Sequence, residues 1–138
     1  MRLWHKDLLP ILPRMQLLGQ WRECCAIAKN INALGTPNHI LVNKIMDYPM
    51  EHFATYCQNV VWHMEKNDFA PNPDTIHLLS RYLDTRIGYY VPNDYLFADW
   101  HNDRYLYQCL TNLEEKFDCG GISLEEWKPI DDYILEHL

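Results

Sequence analysis

In the stretch QLLGQWRECC, residues 16–25, two charged side chains, Arg22 and Glu23, sit inside a run otherwise patterned to face a hydrophobic core. A guanidinium beside a carboxylate can do two kinds of work. The cation holds an anion, and the carboxylate moves protons or stabilises positive charge that develops during a reaction. On a helix the two residues are rotated by about 100° and 200° from Trp21, so they project from surfaces flanking or opposite the buried stripe. An ordinary solvated helix face has the same placement, and the pair alone does not separate the two readings.

The other reactive residue types form no recognisable site. Cys24, Cys25, Cys57, Cys109 and Cys119 are odd in number without framework-like spacing, and the first residues lack a long apolar leader, so a reduced, cytoplasmic protein is expected. Five cysteines and seven histidines contain no zinc-ligand spacing, and adjacent Cys24 and Cys25 are poorly placed to share one ion. No metal and no cofactor are expected. No phosphate-cradling glycine loop, HExxH or nucleophile-elbow motif occurs. No apolar run approaches the roughly 18–20 residues that span a bilayer, so no membrane contact is expected. Trp4, Trp21, Trp62, Trp100 and Trp127, with nine tyrosines, can stack on bases, but large aromatics dominate small cores and most are expected there.

The net charge of −7 argues against a nucleic-acid partner, until its distribution is considered. Residues 1–45 carry six bases (Arg2, Lys6, Arg14, Arg22, Lys29 and Lys44) against Asp7 and Glu23, a net +4. Residues 46–138 carry six bases against 17 acids, a net −11. The asymmetry suggests an anion-facing N-terminal third on an acidic body.

The elements that must position these residues are helices. Pro10 and Pro13 block a regular helix in MRLWHKDLLPIL and favour an extended, packed arm. From Arg14 to about Ala33, Leu17, Leu18, Trp21, Cys24, Cys25, Ala28 and Ile31 recur at helical spacing, and Gly35-Thr36-Pro37-Asn38 stops the helix before a HILVNKIM segment of undefined type. A second helix is expected from about Pro49 to Lys66, with Pro49 in its first turn. Pro73-Asp74-Thr75 starts a third through Ile76, Leu79 and Leu83, and Gly88 to Tyr95 reads as a turn-rich connection. Leu106, Cys109, Leu110, Leu113 and Phe117 mark a fourth, ended by Gly120-Gly121. Ser123-Leu-Glu-Glu126 has capping-box form and opens a short C-terminal helix, interrupted near Pro129. The 138 residues, 48% hydrophobic, therefore read as one compact all-α domain, 1–138, of about four to five helices with an extended N-terminal arm.

The segment MRLWHKDLLPILPRMQLLGQWREC resembles the N-terminal segment of the pyrimidine-dimer DNA glycosylases, the phage endonuclease V type, and especially their bacterial relatives. The likeness rests on the Met-Arg-Leu arm, on Gln16-Leu17-Leu18 in a helix, and on the triplet Trp21-Arg22-Glu23. Downstream, His39-Ile40 and the helix from Pro49 to Lys66 follow the same order. Similarity is strongest over the first third. The resemblance implies excision of a damaged or modified base and cleavage at the abasic sugar, with the N-terminal α-amine as nucleophile and a helix glutamate as its acidic partner.

α-Amino groups ordinarily titrate near about 7.7–8.0, so an appreciable neutral fraction exists where a lysine amine is almost wholly protonated. By this resemblance Met1 supplies the amine, Glu23 the carboxylate, and Arg2 and Arg22 phosphate contacts; His39, His5, Lys6 and Arg14 complete the expected DNA-facing set. The implied partner is double-stranded DNA carrying a damaged base or an abasic site. Two positions depart from the phage pattern. Arg2 is too large for methionine trimming, so Met1 is expected to stay terminal, the arm's missing residue being offset near Pro10–Pro13. Ala26 stands where the phage pattern has another arginine. A rival reading is a non-catalytic module on the same scaffold, binding DNA or a protein through the basic N-terminal face, with the acidic C-terminal half used for protein-partner contacts or phosphate mimicry.

Overall fold

The computed structural model describes residues 1–84 and 90–137. Among them the chain forms five α-helices and no strand: α1 (Arg14–Leu34), α2 (Met50–Lys66), α3 (Pro73–Leu83), α4 (Asp103–Asp118) and α5 (Leu124–His137). The all-α expectation holds. None of these helices is long and apolar enough to cross a membrane.

α1 begins after Pro13, whose φ of −57° and ψ of 153° turn the chain into the helix without any side-chain cap. The missing cap comes from α5. Glu126 Oε2 accepts the Arg14 N–H at 2.9 Å, while at α5's own start Ser123 Oγ accepts the Glu126 N–H, half of a capping box, and donates its hydroxyl to Glu126 Oε1. α1 ends at Gly35, which takes φ 75° and donates its N–H to Ile31 O at 2.9 Å. Its buried face is Leu17, Gln20, Trp21, Cys24, Ile27 and Ala28, with Cys25 and Ile31 only half-buried at its edge.

α1 packs on α2 and α3, and α2 also carries the arm's helical turn. Phe53, Tyr56, Cys57, Val60 and Met64 of α2 are buried in that layer; each large apolar side chain so buried contributes about 1.5–3 kcal/mol. Asn72 caps α3 by accepting the Asp74 N–H at 2.8 Å, and Asn102 caps α4 through Tyr105 N at 2.9 Å. α4 and α5 pair, with Phe117 and Trp127 edge to face at 4.7 Å.

Several details differ from the sequence expectation. The arm is not extended throughout: Lys6–Ile11 forms a 3-10 helix containing Pro10, because a proline φ near −65° suits that geometry. A second 3-10 turn, Asn43–Asp47, occupies the undefined segment. Pro49 precedes the first turn of α2 rather than lying in it. α5 runs 14 residues without a break at Pro129; the carbonyl that loses its amide partner belongs to Glu125, an exposed residue, so its loss costs little. The Gly88–Tyr95 connection falls partly outside the described residues; Tyr90–Tyr95 contains no regular helix.

Candidate active site

Met1 to His5 forms no regular element, yet five of its backbone N–H and C=O groups are held by side chains. Residues 2 and 4 turn one edge toward α1 and α2. Arg2 N donates to Glu23 Oε2 at 3.0 Å, and Arg2 O accepts from Gln20 Nε2 at 2.9 Å. Trp4 N donates to Gln20 Oε1 at 2.7 Å. The Gln20 amide thus spans residues 2 and 4 as a neighbouring strand would. Trp4 O accepts from the Tyr56 hydroxyl at 2.7 Å. Leu3, facing the other way as alternation along an extended chain demands, gives its carbonyl to the Tyr105 hydroxyl of α4.

These contacts place the terminal nitrogen. Met1 N lies 3.9 Å from Glu23 Oε1, with the two side chains 21% and 35% exposed. The Arg2 amide holds Oε2 and so sets the carboxylate's orientation, with Oε1 facing the amine at ion-pair distance and not in a hydrogen bond. Solvent and a ligand still reach the pair.

Below the arm sits a histidine pair. His5 Nε2 donates to His101 O at 2.9 Å, its Nδ1 accepts from Asp7 N at 3.1 Å, and Lys6 N donates to His101 Nδ1 at 2.9 Å. Burial holds both imidazoles below the ordinary histidine range, outweighing for His5 the opposite pull of Asp7 and Asp103. Burial likewise raises the Tyr56 and Tyr105 phenols, so both hydroxyls keep the proton that they donate to the arm. Desolvation pushes Cys25 up to about 11 and also raises Cys57 and Cys109, which leaves these as thiols, not thiolate nucleophiles, at neutral pH.

The other expected site residues divide. Arg2 is half-buried, its guanidinium 5.3 Å from the centre of the Trp4 ring and within 3.9 Å of Cys109 Sγ. Arg22 is exposed beside Glu23 and makes no ion pair among the described residues. Lys6 reaches Asn93 O. Arg14 lies at the start of α1, about 13 Å along the axis from Glu23, with its guanidinium over Phe69 at 4.2 Å. His39 closes a local turn, its Nδ1 accepting from Leu41 N at 3.2 Å. His5 is 3% exposed with both ring nitrogens used, so in this structure its ring caps the 3-10 helix and presents no free nitrogen to a phosphate.

Sequence reading missed Gln20, Tyr56, His101 and Tyr105. A signal existed for two of them. Gln20 and Tyr56 carry hydrogen-bonding groups at positions in phase with the core stripes of their helices, where a polar atom needs a partner. His101 and Tyr105 carry no comparable mark. Trp4, Trp21 and Trp100 are buried as expected, and Trp62 is exposed. Among the described residues, no group of three or more His, Cys, Asp or Glu side chains is arranged to hold a metal.

No curated protein and no solved structure matches the chain significantly. The family model described as pyrimidine dimer DNA glycosylase matches residues 1–77, from the terminal amine through α1 and α2 into the first half of α3. That span exceeds half of the 138 residues and includes Met1, Arg2, Arg22 and Glu23. The chain belongs to the pyrimidine dimer DNA glycosylase family.

Proposed function

We propose that the protein is a DNA glycosylase with abasic-site lyase activity, using the Met1 amine as nucleophile and Glu23 as its carboxylate partner. The observation that carries this reading is the 3.9 Å approach of Met1 N to Glu23 Oε1 while Arg2 N occupies the other oxygen. Family membership supports the class of reaction and a substrate of damaged double-stranded DNA; pyrimidine dimers are the lesion that the family description names, and they are proposed for this chain. The exposed Arg22 and the half-buried Arg2 flank the pair and serve as phosphate contacts, with Lys6, Arg14 and His39 on the same N-terminal third. No protein partner is proposed for the acidic C-terminal half.

The chemistry proceeds in balanced steps. The neutral amine bonds to sugar C1′ as the C1′–base bond breaks; its electron pair leaves with the base, which takes a proton from solvent. Glu23 accepts one proton from the new C1′–ammonium and passes it to O4′ as the C1′–O4′ bond opens, leaving a protonated imine. During the first step the carboxylate also stabilises the cationic character at C1′. Glu23, ionised again, takes a C2′ proton as the C–H electron pair forms the C2′–C3′ double bond and expels the 3′ phosphate. Water then hydrolyses the imine and returns the amine.

Borohydride reduction with abasic-site duplex tests the proposal. The protein with a free Met1 amine is expected to form a stable adduct whose digestion fragments carry the sugar on Met1. Attachment at a lysine, or no adduct at any protein concentration, overturns the amine mechanism, and binding without cleavage leaves the binding-module reading in its place.

A further inference from the structure

The arm is anchored unequally along its two edges. Four of its backbone hydrogen bonds, from Arg2 N, Arg2 O, Trp4 N and Trp4 O, run to Glu23, Gln20 and Tyr56, all on α1 and α2. On the opposite edge the Leu3 carbonyl is held by Tyr105 alone among the described residues. A ribbon fastened along one edge can still roll about that edge. On the other edge the one backbone hydrogen bond, to Leu3 O, stops the roll together with the fully buried Leu3 side chain.

The consequence for the amine follows from chain geometry. The peptide joining Met1 to Arg2 is planar. When Arg2 N, Arg2 O and Leu3 O are all fixed, that plane is fixed too, and Met1 N moves only by rotation about the Cα–C bond of Met1. Glu23 Oε1, 3.9 Å away, biases that one rotation. Release of Leu3 O leaves the four bonds to α1 and α2 in place but lets the arm roll about them, and the Met1–Arg2 peptide plane turns with that roll. The amine then samples a volume instead of an arc.

We infer that Tyr105 is a positioning residue for the terminal amine, acting through the Leu3 carbonyl and not through contact with DNA. Its ring is built to hold still: it lies 5.0 Å from the His101 ring and 5.7 Å from Trp100, and Asn102 caps the helix turn that carries it. Tyr105 also lies outside the segment 1–77 that matches the family, so this anchor is contributed by the part of the chain whose sequence the family model does not describe. Burial keeps its hydroxyl protonated, as a donor must be.

The inference rests on the terminal-amine reading above, and the test separates the two. Tyr105→Phe removes one oxygen and leaves the ring packing in place. Single-turnover cleavage of abasic-site duplex is expected to fall by about 10- to 100-fold, the range that a displacement of about 1 Å costs in covalent chemistry. Affinity for a tetrahydrofuran abasic analogue, which cannot form an imine, is expected to stay within about twofold. The pH profile of cleavage should keep its shape at a lower plateau, since the substitution removes no group that exchanges a proton with the substrate.

The same substitution in a protein extended by a few residues before Met1, where cleavage is expected to be lost already, should change nothing further. Extended protein that cleaves at the native rate sinks the terminal-amine reading. Extended protein that is inactive while Tyr105→Phe cleaves at the native rate sinks the positioning inference alone. Two further outcomes also overturn that inference: loss of rate in proportion to loss of DNA affinity and thermal stability, which marks a general structural role, or loss of the alkaline limb of the pH profile, which marks the hydroxyl as a proton donor.

Discussion

Toward α2 and α3, α1 presents Trp21 to apolar neighbours around a cavity of about 160 Å³ lined also by Cys57, Val61, Ile76, Leu79 and Leu83. Toward the arm, the same helix presents Gln20 and Glu23, whose polar atoms hold Arg2, Trp4 and the terminal amine at fixed directions and distances. Apolar packing is non-directional and roughly proportional to area, so it orients α1 but tolerates small changes of shape. Hydrogen bonds to a buried backbone tolerate none, because each unmade bond leaves a desolvated group without a partner. The polar side of α1 is where a small substitution should have a large functional effect.

Glu23→Gln is expected to have the largest effect. It preserves shape and some hydrogen bonding to Arg2 N while removing the charge, so strand cleavage should be abolished with circular dichroism and most DNA affinity intact; cleavage within a few-fold of the native rate would make the glutamate surface decoration. Gln20→Leu comes next. It strands Arg2 O and Trp4 N, each at a cost of about 1–3 kcal/mol, and thermal unfolding should shift down by several degrees while cleavage drops more than tenfold. Unchanged melting would mean that the arm is not held as described.

Acid acts on the same side of α1. His5 and His101, 3% and 4% exposed, have folded-state values depressed by burial. The unfolded chain binds their protons more readily, so this contribution to stability is complete above the ordinary histidine value of about 6.5 and is lost as pH falls toward the lowered values. Melting temperature measured from pH 7.5 to 5 should be flat at first and then decline, and a His101→Gln variant should flatten the decline. Arg22→Ala should weaken DNA binding a few-fold and reduce the slope of log K against log salt by about one, the signature of one lost phosphate contact. The smallest effect is expected from Leu79→Met at the apolar cavity, under about 1.5 kcal/mol with cleavage unchanged. A large catalytic loss there would erase the contrast between the two sides.

Much of this was legible in the residues themselves. Periodicity placed α1 and α2 to within a residue and marked the body of α4, which starts three residues before Leu106; Pro73-Asp74-Thr75 marked the start of α3, Gly35 the end of α1, and Ser123-Leu-Glu-Glu126 the start of α5. Such signals are local, written within one or two helical turns. The boundaries that moved were those decided by solvation or by turn geometry: Pro10 inside a 3-10 helix and Pro129 inside α5. His5 was expected at the DNA surface from its nearness to the terminus, but nearness in sequence says nothing of which way a ring points, and its ring turns inward.

By itself the sequence determined the helical class, the basic N-terminal third and the pairing of an arm beginning Met-Arg-Leu with a Trp-Arg-Glu triplet, because propensity, charge and motif belong to the residues wherever the chain goes. It did not determine how the arm is held. Gln20, Tyr56, His101 and Tyr105 meet the arm across separations of 16, 52, 95 and 102 residues. A backbone carbonyl looks the same at every position in a sequence, so which hydroxyl or amide reaches it is decided only when α1, α2 and α4 are packed around the arm.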